Sequence, residues 1–179
     1  GMHRSGTSAL AGALDTLGID FGEHLLPPSE DNPKGFFEDE NVVALNDFLL
    51  YLLESNWYDL RDLPADAWNY PFLEKVEKEA IEIIQNTFDG NLFAIKDPRF
   101  CLVLPFWLKI FKKLNIETVC LISRRHPVET ANSLVKRNGF HFADSLLLWS
   151  KYTLLFEEST RVCPRLFVDF DTLLDAPKN

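Results

Sequence analysis

The chain has 179 residues, 27 acidic against 18 basic side chains, a formal net charge of −9 and 46% apolar residues. That length suits one domain with a sizeable core, and the composition excludes a disordered or fibrous chain. The acidic balance argues against a general nucleic-acid or anionic-membrane binder, and no stretch approaches a membrane span.

In chain order, residues 5–17 predict a helix, because Ala9, Leu10, Ala13, Leu14 and Leu17 share one face and Gly18 supplies a stop. Residues 19–37 read as loop, punctuated by Pro27, Pro28, Asn32-Pro33 and Lys34-Gly35. A second helix is expected over 38–53, with acidic residues at its start, and a third over 71–88. Between them, residues 55–70 form a loop rich in Asp and aromatics. The short apolar run 92–95 ends in Lys96-Asp97-Pro98-Arg99 and reads as a strand. Residues 102–114 predict a helix with Pro105 in its first turn, and the β-branched run 117–122 a buried strand. Helices over 127–137 and 143–159 and a last strand over 166–170 complete the pattern. Apolar strands alternating with helices predict an α/β fold with a parallel sheet covered on both sides, its ligands at the strands' carboxyl ends.

The charge is uneven. Residues 1–95 carry 5 basic and 18 acidic side chains, whereas residues 96–137 carry 9 basic and 3 acidic. Such a stretch is either a set of solvated helix faces or a local anion site in an acidic protein. Cys101, Cys120 and Cys163 are far apart in sequence, lie in apolar contexts and lack metal-ligand spacing. They read as buried free thiols of a reducing compartment, the cytoplasm.

Three blocks carry chemistry. Gly1-Met2-His3-Arg4-Ser5-Gly6-Thr7-Ser8 leads straight into a helix and has the layout of a phosphate-cradling loop. Thr7 stands where a nucleoside-triphosphatase loop has its Lys, and Arg4 supplies a cation instead. Lys96-Asp97-Pro98-Arg99 follows a strand. Arg124-Arg125-His126-Pro127 follows the next, and Ser133 and Arg137 lie four apart on the helix behind it, so with Arg125 they can clamp a second phosphate. His126 reads as a turn residue and His141 as a surface one.

Together these blocks resemble the sulfotransferases that use 3′-phosphoadenosine 5′-phosphosulfate, and among them a bacterial branch. The resemblance extends to Asn32-Pro33-Lys34-Gly35-Phe36-Phe37-Glu38, Asn46, Pro105 with Trp107, and Val168-Asp169-Phe170-Asp171-Thr172-Leu173-Leu174, in order over residues 1–174. It implies a three-layer P-loop fold with a central parallel sheet in a single domain over residues 1–179. It also implies a strand immediately before the loop and a further helix after Asp175-Ala176-Pro177, so a domain incomplete at both ends is expected.

The implied reaction moves a sulfuryl group from that donor to a hydroxyl or amine acceptor, such as a carbohydrate, without a metal. The donor would be held by His3, Arg4, Ser5, Gly6, Thr7 and Ser8 at its 5′ end and by Arg125, Ser133 and Arg137 at its 3′-phosphate. Arg4 and Lys96 would stabilise the leaving phosphate. The base would be Glu38, which closes the Gly-Phe-Phe-Glu block, with Glu23, His24 and Asp97 as alternatives. Loops 19–37 and 55–70 would line the acceptor site, with Trp57, Tyr58, Trp68 and Tyr70 as its walls. Two other readings of the same residues are a P-loop small-molecule kinase and a degenerate nucleotide-binding module without activity.

Overall fold

The computed structural model describes residues 1–30, 32–90 and 92–175. Ala176 and Pro177 of the last motif lie outside the described residues. The described chain is mixed α/β, with seven α-helices and a two-stranded parallel sheet.

Helix α1 (Thr7–Asp15) grows out of the glycine loop, and α2 (Glu40–Leu52) starts on Asp39, whose carboxylate accepts the N–H groups of Asn41 and Val42. This is a side-chain N-cap that satisfies two otherwise open donors. Helix α3 (Leu73–Thr87) buries Leu73, Val76, Ala80 and Ile84 at helical spacing. Helix α4 (Phe100–Lys113) is apolar on nearly every side over its first two turns and therefore runs through the centre, packed on α2 and α3. Phe100 stacks on Trp107 with ring centroids 5.4 Å apart, and Trp107 is fully buried. Helix α5 (Pro127–Asn138) begins on its proline and stops at Gly139, which takes the left-handed conformation at φ 71°. Helix α6 (Phe142–Ser159) packs on both α4 and α5. Strands β1 (Cys120–Arg124) and β2 (Arg165–Asp169) pair in parallel with Cys120 opposite Arg165, and α7 (Phe170–Asp175) follows β2 directly and packs on α1.

Several expectations need correction. Residues 92–95 form no strand. Phe93 makes a single parallel bridge to Asp20, and an apolar cavity of about 360 Å³ lies between this segment and β1, floored by Leu104 and Phe111 of α4. The first buried strand begins at Cys120 rather than at 117, because Ile116 turns back onto the end of α4 through its N–H to Phe111 O. The sheet is not covered on both sides: Leu166 and Phe167 of β2 are exposed. Pro105 is the sixth residue of α4, beyond its first turn, where it forgoes one helical hydrogen bond inside the core. Asp171 sits in the first turn of α7 instead of an acidic turn. Among the described residues no helix is long and apolar enough to cross a membrane.

Candidate functional site

The loop ahead of α1 is folded by its own backbone. Ser5 donates its N–H and its hydroxyl to Met2 O, and Ser123 at the end of β1 donates its hydroxyl to Ser5 O at 2.6 Å. Arg4 and Gly6 both take the left-handed conformation, at φ 65° and 87°. A backbone of this kind makes an anion-binding concavity. Gly6 caps α1 without a side chain, and the N–H groups of Gly6, Thr7 and Ser8 find no acceptor among the described residues. The helix N-terminus therefore presents open donors on the positive end of its dipole. Glycine is required at position 6 twice over, by its φ and because a Cβ there would stand 2.2 Å from Phe170 Cδ2.

Lys96 reaches this loop from one side. Its ammonium donates to Ser8 Oγ at 3.3 Å and forms an ion pair with Glu38. Glu38 is buried, and its second oxygen lies 4.0 Å from Arg99 Nη1. Burial raises the Glu38 carboxyl above the usual range, opposed by Lys96, while burial lowers the Lys96 ammonium, opposed by Glu38. Each group thus offsets part of the other's desolvation. Beneath them Asp97 accepts Arg99 N and Arg99 Nη1, both at 2.9 Å, and Asn46 Nδ2 at 2.8 Å. Trp107 Nε1 donates to Asn46 Oδ1 at 2.7 Å, which anchors the network to the core of α4. Asn32 Nδ2 donates to Ser8 Oγ and Gly35 O, so the Asn-Pro-Lys-Gly turn is fixed against the loop.

The second side belongs to α5. Arg4 Nε donates to Ser133 Oγ at 2.9 Å, and Arg125 Nη1 donates to Arg4 O at 3.3 Å. Arg125 also lies 4.7 Å over the Phe170 ring and pairs with Glu129. Arg137 follows toward the end of the same helix. Its guanidinium lies over the Trp57 ring at 5.7 Å and bonds Asn138.

His3 joins that aromatic side, with its ring 4.5 Å from Trp57 and 6.1 Å from Tyr152. Its Nε2 is sealed from solvent and has no hydrogen-bond partner among the described residues. Burial, then the charges of Arg99, Arg137, Lys96 and the N-terminus, hold His3 well below its usual pKa, so it is neutral at pH 7.

The loop, Glu38, Lys96, Arg125 and Ser133 are thus brought together, through contacts on Ser8 and Arg4. Of the alternative bases, Asp97 already has both oxygens engaged, and Glu23 and His24 are exposed. Of the four expected acceptor walls, Trp57 stands beside His3 and Tyr58 beside Trp57, whereas Trp68 packs on Phe106 in the core and Tyr70 on Phe72. His126 and His141 are exposed residues that precede α5 and α6.

Sequence reasoning gave no role to Ser123 or Phe170, two further contacts of the loop. Ser123 had a signal, as the lone hydroxyl between the apolar run and the basic pair. Phe170 had none, since nothing local ties it to Gly6. Among the described residues no group of three or more His, Cys, Asp or Glu could hold a metal ion. No family model, curated protein or solved structure matches the chain.

Proposed function

We propose that the protein is a sulfotransferase that takes the sulfuryl group of 3′-phosphoadenosine 5′-phosphosulfate to a hydroxyl or amine acceptor, on a P-loop-type scaffold. The observation that carries this reading is the convergence of the Lys96–Glu38 pair and the Arg4–Ser133–Arg125 group on one glycine loop. Two anion sites on opposite sides of one loop suit a donor with phosphates at both ends of its ribose. The apolar cavity between residues 92–96 and β1 has the lining that the family's strand beside the loop would need.

The donor set fits the substrate. Open N–H groups at Gly6, Thr7 and Ser8 meet a 5′-phosphate, and Ser8 Oγ and Lys96 Nζ stand beside them. Arg125 and Ser133 meet the 3′-phosphate. Glu38 takes the acceptor proton as the acceptor oxygen or nitrogen bonds to sulfur. The sulfur–oxygen bond to the 5′-phosphate breaks in line, and Lys96 faces the charge that develops on that oxygen. Lys96 meets Glu38 in the free protein, so Lys96 is already desolvated and aimed before substrate arrives.

The test is calorimetry with adenosine 3′,5′-bisphosphate, then turnover with labelled donor over a panel of sugars, phenols and amines. Tight binding with label transfer supports the reading. Binding without transfer to any acceptor supports a degenerate module, and Mg²⁺-dependent ATP binding in place of the bisphosphate supports a kinase.

A further inference from the structure

Two of the three cysteines, 43 positions apart in the chain, meet in the fold: Cys120 Sγ and Cys163 Sγ lie 3.4 Å apart. Cys120 opens β1, and its N–H donates to Pro164 O at 2.9 Å, so the backbones on either side of the pair are held together. Cys163 ends the short 3-10 turn Thr160–Val162 that leads into β2, with its N–H on Thr160 O. A disulfide needs its sulfurs about 2.05 Å apart, so the two must close by roughly 1.4 Å, within reach of side-chain rotation. Cys101 is buried in α4 and makes no such contact among the described residues. We propose that Cys120 and Cys163 are a redox pair, which hydrogen peroxide converts to an intramolecular disulfide that fastens β1 to the turn before β2.

The two thiols differ in access. Cys163 is half-buried and Cys120 buried. Burial, and then the neighbouring Cys163, push the Cys120 thiol up to about 12. The nucleophile in such chemistry is the thiolate, so Cys163 reacts first. Its sulfur attacks one peroxide oxygen, the oxygen–oxygen bond breaks, and the hydroxide released takes up the thiol proton as water. The Cys120 sulfur then attacks the sulfenic sulfur of Cys163. The sulfur–sulfur bond forms, the sulfur–oxygen bond breaks, and the second oxygen leaves as water with the Cys120 proton. Two thiols lose two electrons and two protons, and one peroxide becomes two waters. The high pKa of Cys120 makes this second step the slow one. The bond closes a loop that carries α5 and α6, and with them Arg125, Ser133 and Arg137. Closing a loop of that length restricts the unfolded chain and raises the melting temperature.

The test is thiol counting on the reduced protein before and after hydrogen peroxide, with catalase added before denaturation and alkylation. The expected labels fall from three to one, the remaining label is on Cys101, and peptide mapping finds residues 120 and 163 joined. Dithiothreitol restores all three, and the oxidised protein melts about 5 °C or more above the reduced one. Cys101→Ser still forms the bond, and Cys163→Ser keeps both of its thiols. Three labels after treatment, a sulfinic acid on Cys163 without a link, or a link through Cys101 or between two molecules would each overturn the proposal.

Discussion

Arg4 donates its Nε proton to the hydroxyl of Ser133, a residue 129 positions away, and the glycine loop is thereby tied to the face of α5. Arg125 adds a second tie by donating to the Arg4 carbonyl. The loop's left-handed Arg4 is thus held from the side that the sequence assigned to a different phosphate. On the proposed reading, the two phosphate sites would share Arg4 and be coupled through it.

Arg125 should discriminate between ligands by one phosphate. A charge-assisted hydrogen bond contributes about 1.5–3 kcal/mol, or roughly 10–100-fold in affinity. Arg125→Ala is expected to weaken adenosine 3′,5′-bisphosphate by that factor. Its effect on adenosine 5′-phosphate should be only a few-fold, through the lost contact with Arg4 O. Calorimetry with both ligands reads the difference, and equal losses would remove Arg125 from the 3′-phosphate.

Glu38 should control turnover more than donor affinity. Glu38→Gln keeps the size and a polar contact to Lys96 but cannot accept a proton. Turnover should fall by at least ~100-fold, well beyond any change in bisphosphate affinity that follows from Lys96 losing its partner. A base works only when ionised, and burial raises the Glu38 carboxyl, so activity should climb with pH through a midpoint above its ordinary 4.5. That limb should vanish in the variant. Near-normal turnover would pass the role to Glu23 or His24, the two exposed alternatives.

Much of this site was legible because its residues sit in local blocks. The loop, Lys96-Asp97-Pro98-Arg99 and Arg125 each stand at the end of an element, where a change of periodicity marks them. Ser133 was legible through its helical register alone. The contact of Arg137 with the Trp57 ring was not, because it joins distant segments. The strand expected at 92–95 failed for a related reason. An apolar run of four residues becomes a strand only if a neighbour pairs with its backbone, and among the described residues this run makes a single bridge, Phe93 with Asp20, through the Ala94 N–H to Asp20 O. The ring contacts of Trp68 with Phe106 and of Tyr70 with Phe72 were not legible, because aromatic loop residues are ambiguous until packing is known.

His3 should make stability fall in mild acid. Its pKa in the fold lies well below the unfolded value of 6.5. As pH drops below that value, the unfolded chain takes up a proton that the folded chain refuses. Stability contributed by neutral His3 is therefore complete above about pH 6.5 and lost as pH falls toward the folded pKa, by up to about 1.4 kcal/mol per pH unit. His3→Phe keeps a ring against Trp57 and cannot titrate. Melting temperatures of both proteins between pH 7.5 and about 5 should diverge, with the wild type falling more steeply. Parallel curves would show that His3 is protonated in the fold.

Gly6 and Phe170 should behave as a pair in which one cost can be relieved and the other cannot. An added Cβ at position 6 meets two obstacles: φ 87°, which an L-residue resists, and the Phe170 ring at 2.2 Å. The backbone term costs about 1–2 kcal/mol wherever the ring is. The steric term depends on Phe170 alone, and it has a ready outlet, because α7 is short and carries no buried residue. Gly6→Ala is therefore expected to lose about 2–4 kcal/mol of stability in urea, while Gly6→Ala with Phe170→Ala recovers only the part above the backbone cost. Donor affinity should not recover in the double variant, because the loop N–H groups of residues 6–8 are aimed by the left-handed turn and not by the ring. Full recovery of both stability and affinity in the double variant would mean that the turn tolerates a side chain. The open N–H groups of α1 would then not depend on the glycine.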